Sequence, residues 1–158
     1  MDSRPPALSP RLAAIVAALP LRPGQRVLEI GCGPGAAARA VVRRVGERGC
    51  VLALDRSATA VAQARRAGAA EIAAGRLVVR QTAIEDFELA AGEAPYDLAF
   101  AVRVGALDGR HPEAGRRALQ RIAAALTPRG RLLIDGGDPL REVPLPRRVA
   151  SPRTPRGA

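Results

Sequence analysis

The sequence predicts a three-layer α/β domain, a parallel sheet with helices on both faces, and three observations carry that reading. Apolar runs of strand length alternate with helix-like segments along most of the 158 residues. The runs are nearly continuous in apolar residues, as expected of strands buried on both faces. Residues that start and stop helices stand where one kind of segment gives way to the other.

Taken in order, Ser9 as N-cap and Pro10 at the first helical position open a short helix through the apolar stretch Leu12 to Leu19. Arg4 and Arg11 make this stretch imitate a secretory leader, but Pro20, Arg22 and Pro23 follow it without a small-x-small cleavage site. VLEI (27–30) is the first strand; a glycine-rich turn separates it from the helical AAARAVVRRVG (36–46). CVLALD (50–55) is the second strand, and SATAVAQARRAG (57–68) is a helix capped by Ser57 and closed by Gly68, with a short AAEIAAG piece after it. RLVVR (76–80) is the third strand and leads to an acidic segment around Glu85 and Asp86. YDLAFAV (96–102) is the fourth, followed by a loop and the helix PEAGRRALQRIAAAL (112–126), with Pro112 at its first position. Pro128 and Gly130 break the chain before the fifth strand, RLLID (131–135). Beyond it stand Pro139, Pro144, Pro146, Pro152 and Pro155 among several Arg, so residues 141–158 read as a poorly ordered tail behind a domain of residues 1–140.

Composition narrows the function classes. Hydrophobic residues make up 47 % of the chain, enough for a real core, whereas aromatics are only 2 % with no Trp. That argues against a nucleic-acid reader built on stacking and against a groove lined with rings. No run of about 18 apolar residues is present to span a membrane. Two Cys and one His cannot complete a four-ligand zinc site. The net charge is +10 with a pI near 11.5, yet every basic residue is Arg and about a fifth of the chain is Ala, which together read as a coding bias. The Arg are scattered in short pairs such as Arg43-Arg44 and Arg116-Arg117, so a solvated basic surface is expected and nucleic acid is not. Cys32 follows one strand and Cys50 opens the next, which puts them at opposite ends of a parallel sheet, beyond disulfide reach. Two unpaired thiols fit a reducing, cytoplasmic setting.

The segment that carries chemistry is VLEIGCGPG, Val27 to Gly35. Gly31, Gly33 and Gly35 permit a tight turn between a strand and a helix, where a ligand can approach the backbone closely. Gly31-x-Gly33-x-x-Ala36 satisfies the dinucleotide pattern, and Asp55 ends the next strand 20 residues past Gly35. A carboxylate there can accept from both ribose hydroxyls, so an adenosine-type cofactor is expected. Glu29 discriminates among such cofactors. A carboxylate beside the turn would repel a pyrophosphate and welcome an ammonium. S-adenosylmethionine carries an ammonium, a sulfonium and a ribose, and no phosphate.

The residues EIGCGPG resemble motif I of the class I S-adenosylmethionine-dependent methyltransferases. The resemblance extends through LALDRS, VVRQTAIEDFE and YDLAFAV to LTPRGRLLID, which is similar to the family's L-x-P-x-G-x-L turn into the fifth strand, and covers roughly residues 8 to 138. It implies a Rossmann-like sheet of order 3-2-1-4-5 and methyl transfer to a small-molecule acceptor. It also implies a set of contacts. Glu29 would meet the methionine ammonium, and Gly31, Cys32, Gly33 and Gly35 would pass beneath the methionine and ribose. Asp55 would hold the ribose diol, Arg56 would flank the adenine, Thr82 and Ala83 would face its edge, and the backbone near Ala101 would line the methionine. Many members have an acid at the place of Thr82.

The family usually adds a sixth and a seventh strand, the seventh antiparallel beside the fifth. Here only a Pro-rich tail follows Asp135, so the final strand pair is expected to be missing. The fifth strand would then be an exposed edge that a second copy or a partner protein covers. His111, in the loop after the fourth strand, is the one side chain to consider as a catalytic base. Asp108, Asp135 and Asp138 do not match the family's metal-assisted sites, and no metal is expected. Two other readings compete: a non-catalytic or partner-dependent methyltransferase-like protein that binds the cofactor, motivated by the short C-terminus and Thr82, and an NAD(P)-dependent oxidoreductase, which Glu29 and the lack of a Tyr/Lys pair oppose.

Overall fold

The computed structural model describes residues 8–147. The elements run α1 (Pro10–Ala18), β1 (Arg26–Ile30), α2 (Ala36–Val45), β2 (Cys50–Asp55), α3 (Ala58–Ala67), α4 (Ala69–Ala73), β3 (Leu77–Gln81), β4 (Tyr96–Ala101), α5 (Pro112–Ala125), β5 (Leu126–Asp135) and β6 (Leu140–Val143). Single 3-10 turns lie at Ile84–Asp86 and Gly105–Leu107. One six-stranded sheet has the order β3-β2-β1-β4-β5-β6. All its neighbours are parallel except β5 and β6. Among the described residues, no helix is long and apolar enough to cross a membrane.

The alternation of side chains along each strand divides the core between the sheet's faces. Val27, Val51, Ala53 and Leu98 pack with Val41, Val42 and Val45 of α2 and Val61 and Ala64 of α3. Leu28, Ile30, Leu52, Leu54 and Leu132 pack on the other face with Ile122 and Ala118 of α5 and with Phe87. Both faces of β1 are therefore buried, which is why Val27, Leu28 and Ile30 are apolar and why Glu29 is a buried carboxyl. The caps act as expected. Ser9 accepts from the Leu12 N–H at 3.3 Å and Ser57 from the Ala60 N–H at 3.2 Å.

The sixth strand corrects the expectation of a bare fifth strand. Leu140–Val143 pairs antiparallel with β5 in the register Leu132↔Val143 to Asp135↔Leu140, the place that the resemblance gives to an antiparallel strand. Only the strand beyond it is absent from the described residues. The segment from residue 141, read as the start of a tail, thus begins inside a strand, and Val143 and Leu145 pack against the core. Covered by β6, β5 gives no ground for a second copy or partner there. The strand escapes a sequence reading because Arg141 and Glu142 are charged and exposed and Pro139 and Pro144 bracket it; an edge strand tolerates both. The expected tail beyond residue 147 lies outside the described residues.

β5 also begins earlier than residue 131. Tyr96 pairs with Leu126 and Leu98 with Arg131, so an irregularity in the ladder takes up the residues between Leu126 and Arg131. Pro128, which has no N–H to offer, and Gly130 fall within it.

Ending the chain at Gly137 should remove β6, expose the edge of β5 along Leu132 to Ile134 and produce aggregation on expression. Ending it at Arg147 should leave the melting temperature close to that of the full chain. The two truncations compared by light scattering and thermal melts check this.

Candidate functional site

The sheet order reverses beside β1: the chain moves outward through β2 and β3 and then returns to β4 on β1's other side. Ligands of open parallel sheets bind at such a switch point, beyond the carboxyl ends of the strands. The glycine turn stands there. Gly31, Gly33 and Gly35 adopt φ of +69°, +53° and +87°, a region closed to most side chains. The Cys32 N–H donates to the Leu54 carbonyl at 2.9 Å, which fastens the turn across the end of β2. Asp55 fixes the turn from below: Oδ2 accepts from the Gly33 N–H and Oδ1 from the Ser57 N–H, each at 2.9 Å.

Gly31 and Gly33 are required for different reasons. A Cβ on Gly31 would stand 2.7 Å from Cγ2 of Val104, whereas one on Gly33 would meet nothing within 4 Å. Gly31→Ala should therefore combine left-handed strain with overpacking and cost about 2–4 kcal/mol. Gly33→Ala should cost only the backbone term, about 1 kcal/mol. Urea unfolding of both variants tests the difference.

A cleft of about 460 Å³ opens beyond the turn, within the range of small-ligand sites. Of the residues singled out from sequence, Gly31, Asp55, Arg56, Thr82, Ala83 and His111 line it. The Thr82 hydroxyl donates to the Ala83 carbonyl at 3.1 Å, and its oxygen keeps acceptor capacity. His111 is exposed at the N-cap of α5. Cys32, Gly33 and Gly35 belong to the turn but not to the cleft wall, and Ala101 lines a neighbouring cavity.

Glu29 also stands behind the turn, not on the wall. It is 4 % exposed, and its carboxyl accepts from the Ala38 N–H in the first turn of α2. Gly35 offers that helix no side-chain cap, so a strand residue satisfies one of its free N–H groups. Oε2 of Glu29 has no partner. Burial, and then repulsion from Asp55, push its pKa up to about 8 against the pull of the Ala38 N–H. Burial followed by the same two carboxylates raises the Cys32 thiol to about 12, so Cys32 is a protonated, unreactive turn residue.

Two wall residues had no sequence signal. Val104 matters only because it packs against Gly31. Arg103 carries a φ of +56°, alone among non-glycine residues described. Its N–H donates to Oδ1 of Asp135 at 3.0 Å, and Arg11 of α1 pairs with Oδ2 of the same carboxylate at 2.7 Å. Arg103 and Val104 stand between the cleft and a second cavity of about 550 Å³, whose lining includes Ala101, Ile134 and Arg141.

Comparison with known proteins agrees with this geometry. Residues 27–130 match the family model described as a methyltransferase domain. The protein-L-isoaspartate O-methyltransferase of Methylorubrum extorquens is 40 % identical over 128 residues, covering 81 % of this chain and 49 % of the relative. Its counterpart from Methylorubrum populi is 39 % identical over 128 residues, with 81 % and 52 % covered. The chain thus spans about half the length of the curated relatives it matches. A methyltransferase from Thiobacillus denitrificans, solved with S-adenosyl-L-homocysteine, superposes with a TM-score of 0.62 at 25 % identity, over 80 % of this chain and 48 % of that one. The turn, the sheet order and these matches together place the chain in the methyltransferase domain family, among the class I S-adenosylmethionine-dependent methyltransferases.

Proposed function

We propose that the chain binds S-adenosylmethionine in the cleft beside the glycine turn and transfers its methyl group to a small molecule. The observation that carries the reading is the pair of carboxylates at the turn. Asp55 pushes the Glu29 carboxyl up, and neither residue has an ion pair among the described residues. The buried Oε2 of Glu29 is unpartnered. Glu29 from behind the turn and Asp55 on the wall favour a positively charged group in the cleft and disfavour a pyrophosphate. Asp55 spends one acceptor site per oxygen on backbone N–H groups, which leaves lone pairs for a ribose diol. The nicotinamide reading has no comparable support.

When bound, S-adenosylmethionine supplies an electrophilic methyl on a sulfonium. The chain's own part is alignment. Asp55 and the turn hold the ribose end, Arg56, Thr82 and Ala83 bound the adenine end, and Val104 closes the wall. Holding two reactants in line contributes up to about 7–11 kcal/mol with no covalent step by the protein. His111 is the base available at the cleft should the acceptor have to lose a proton.

The cleft and the adjoining cavity suit a small acceptor. A second reading, an isoaspartyl carboxylate in a peptide, is favoured by the names of the relatives at 39 % and 40 % identity. Methyl-labelled S-adenosylmethionine offered with a panel of small organic acids and amines, and separately with an isoaspartyl peptide, decides between them. Label in a low-mass product supports the first reading, and label in base-labile peptide ester the second. Tight cofactor binding with no transfer in either arm favours the non-catalytic alternative.

A further inference from the structure

We infer that the second cavity is an anion-anchoring subsite, in which Arg103 and Arg141 hold a carboxylate or phosphate group of the acceptor at a distance from the atom that is methylated. The inference rests on the methyltransferase reading of the neighbouring cleft.

Register builds the floor of the cavity. Ala101 pairs with Ile134, and Ile134 pairs with Arg141, so these three residues form one row across β4, β5 and β6 and point to the same face. The loop after β4 adds Arg103, Val104, Asp108 and Arg110 to the lining, and Asp135 ends β5 there. Charge within this space is unevenly committed. Asp108 is engaged by Arg110 at 2.5 Å, and Asp135 by Arg11 at 2.7 Å. The guanidinium groups of Arg103 and Arg141 take part in none of the ion pairs or side-chain hydrogen bonds found among the described residues. Two unpaired guanidinium groups therefore border a cavity whose two carboxylates, Asp108 and Asp135, are already paired with Arg110 and Arg11.

The backbone at Arg103 points the same way. A left-handed conformation is costly for a long side chain, and Gly or Asn would fill it more easily. The residue is nevertheless an arginine, and Asp135 clamps its N–H. Strain maintained by a dedicated partner, at the point where the cleft meets the second cavity, suits a side chain whose placement matters. Guanidinium groups lining one cavity offer planar donor pairs suited to a carboxylate or phosphate. The shared wall, Arg103 and Val104, then puts the bound acceptor beside the methyl end of the cofactor.

The test uses the full chain saturated with S-adenosylhomocysteine and follows arginine side-chain N–H signals by NMR during separate titrations with inorganic phosphate and with succinate. Arg103 and Arg141 signals should shift together and saturate in at least one titration, and which one distinguishes a phosphate from a carboxylate group. Arg103→Gly relieves the positive φ and so should keep or raise the melting temperature, while weakening the anion roughly tenfold or more. Arg141→Gln should weaken it similarly, and Arg131→Gln, whose partner is Glu142 outside the cavity, should leave it unchanged. Equal anion affinity in all variants, or shifts spread evenly over the arginines, overturns the subsite while leaving the cofactor reading intact. Failure of S-adenosylhomocysteine to bind overturns the cofactor reading and the inference with it.

Discussion

Replacing Asp55 by alanine is expected to weaken S-adenosylhomocysteine binding roughly 10- to 150-fold, because a hydrogen bond to a charged acceptor contributes about 1.5–3 kcal/mol. The carboxylate does more than wait for a ribose. It accepts the Gly33 and Ser57 N–H groups, so the alanine variant also loosens the turn and the start of α3. Asp55→Asn separates the roles. The amide keeps the size and one acceptor oxygen but sets its NH2 against the Gly33 or the Ser57 N–H, so it should melt between wild type and the alanine variant with an intermediate loss of affinity. Calorimetric titration with parallel melts checks both variants. An unchanged dissociation constant in folded Asp55→Ala removes Asp55 from the ribose site.

The second large effect is a pH dependence set by Glu29. In the unfolded chain its carboxyl titrates near 4.5, and in the folded chain near 8. Between those values the folded state holds a proton that the unfolded state has lost, so stability falls as pH rises, by up to about 1.4 kcal/mol per pH unit. The favourable contribution is complete below about pH 4.5 and gone above about pH 8. Glu29→Gln should flatten this slope and raise the melting temperature at pH 8, because the amide oxygen can still accept from Ala38 and no charge remains to bury. Acting through the turn and not by contact, the lost negative charge should weaken S-adenosylmethionine, which carries an ammonium, while adenosine binds as before. NAD should bind the variant equally well or better. Binding of S-adenosylmethionine to wild type near pH 7 should release a proton, measurable by calorimetry in buffers of different ionisation enthalpy. Equal losses for adenosine and S-adenosylmethionine would show instead that Glu29 serves only to brace α2.

Much of this molecule is legible in its sequence, for a physical reason. A strand buried on both faces must be apolar at most positions, so β1, β2 and β4 announce themselves, and Ser9 and Ser57 cap locally, within a few residues. Asp55 is legible because the glycine turn and the next strand end fix its position by short-range geometry. What stays hidden depends on distant partners. β6 exists because β5 supplies a ladder, and its charged residues carry no period-2 apolar signal. The irregularity around Pro128 depends on β4. Glu29 stands out by composition, but nothing local shows that the first turn of α2 lies against it and that the cleft does not. Arg103 is hidden most deeply: nothing in an arginine forecasts a positive φ, and the clamp that sustains it, Asp135, is 32 positions away.

The proposed cleft takes an adenosyl ligand that bears an ammonium, and not a dinucleotide. Calorimetric titration of the purified chain with S-adenosylhomocysteine and with NAD, under one buffer, tests this most directly. The account predicts saturable one-to-one binding of S-adenosylhomocysteine with NAD far weaker. NAD binding as tightly or more tightly, or no binding of S-adenosylhomocysteine to the folded chain, contradicts it.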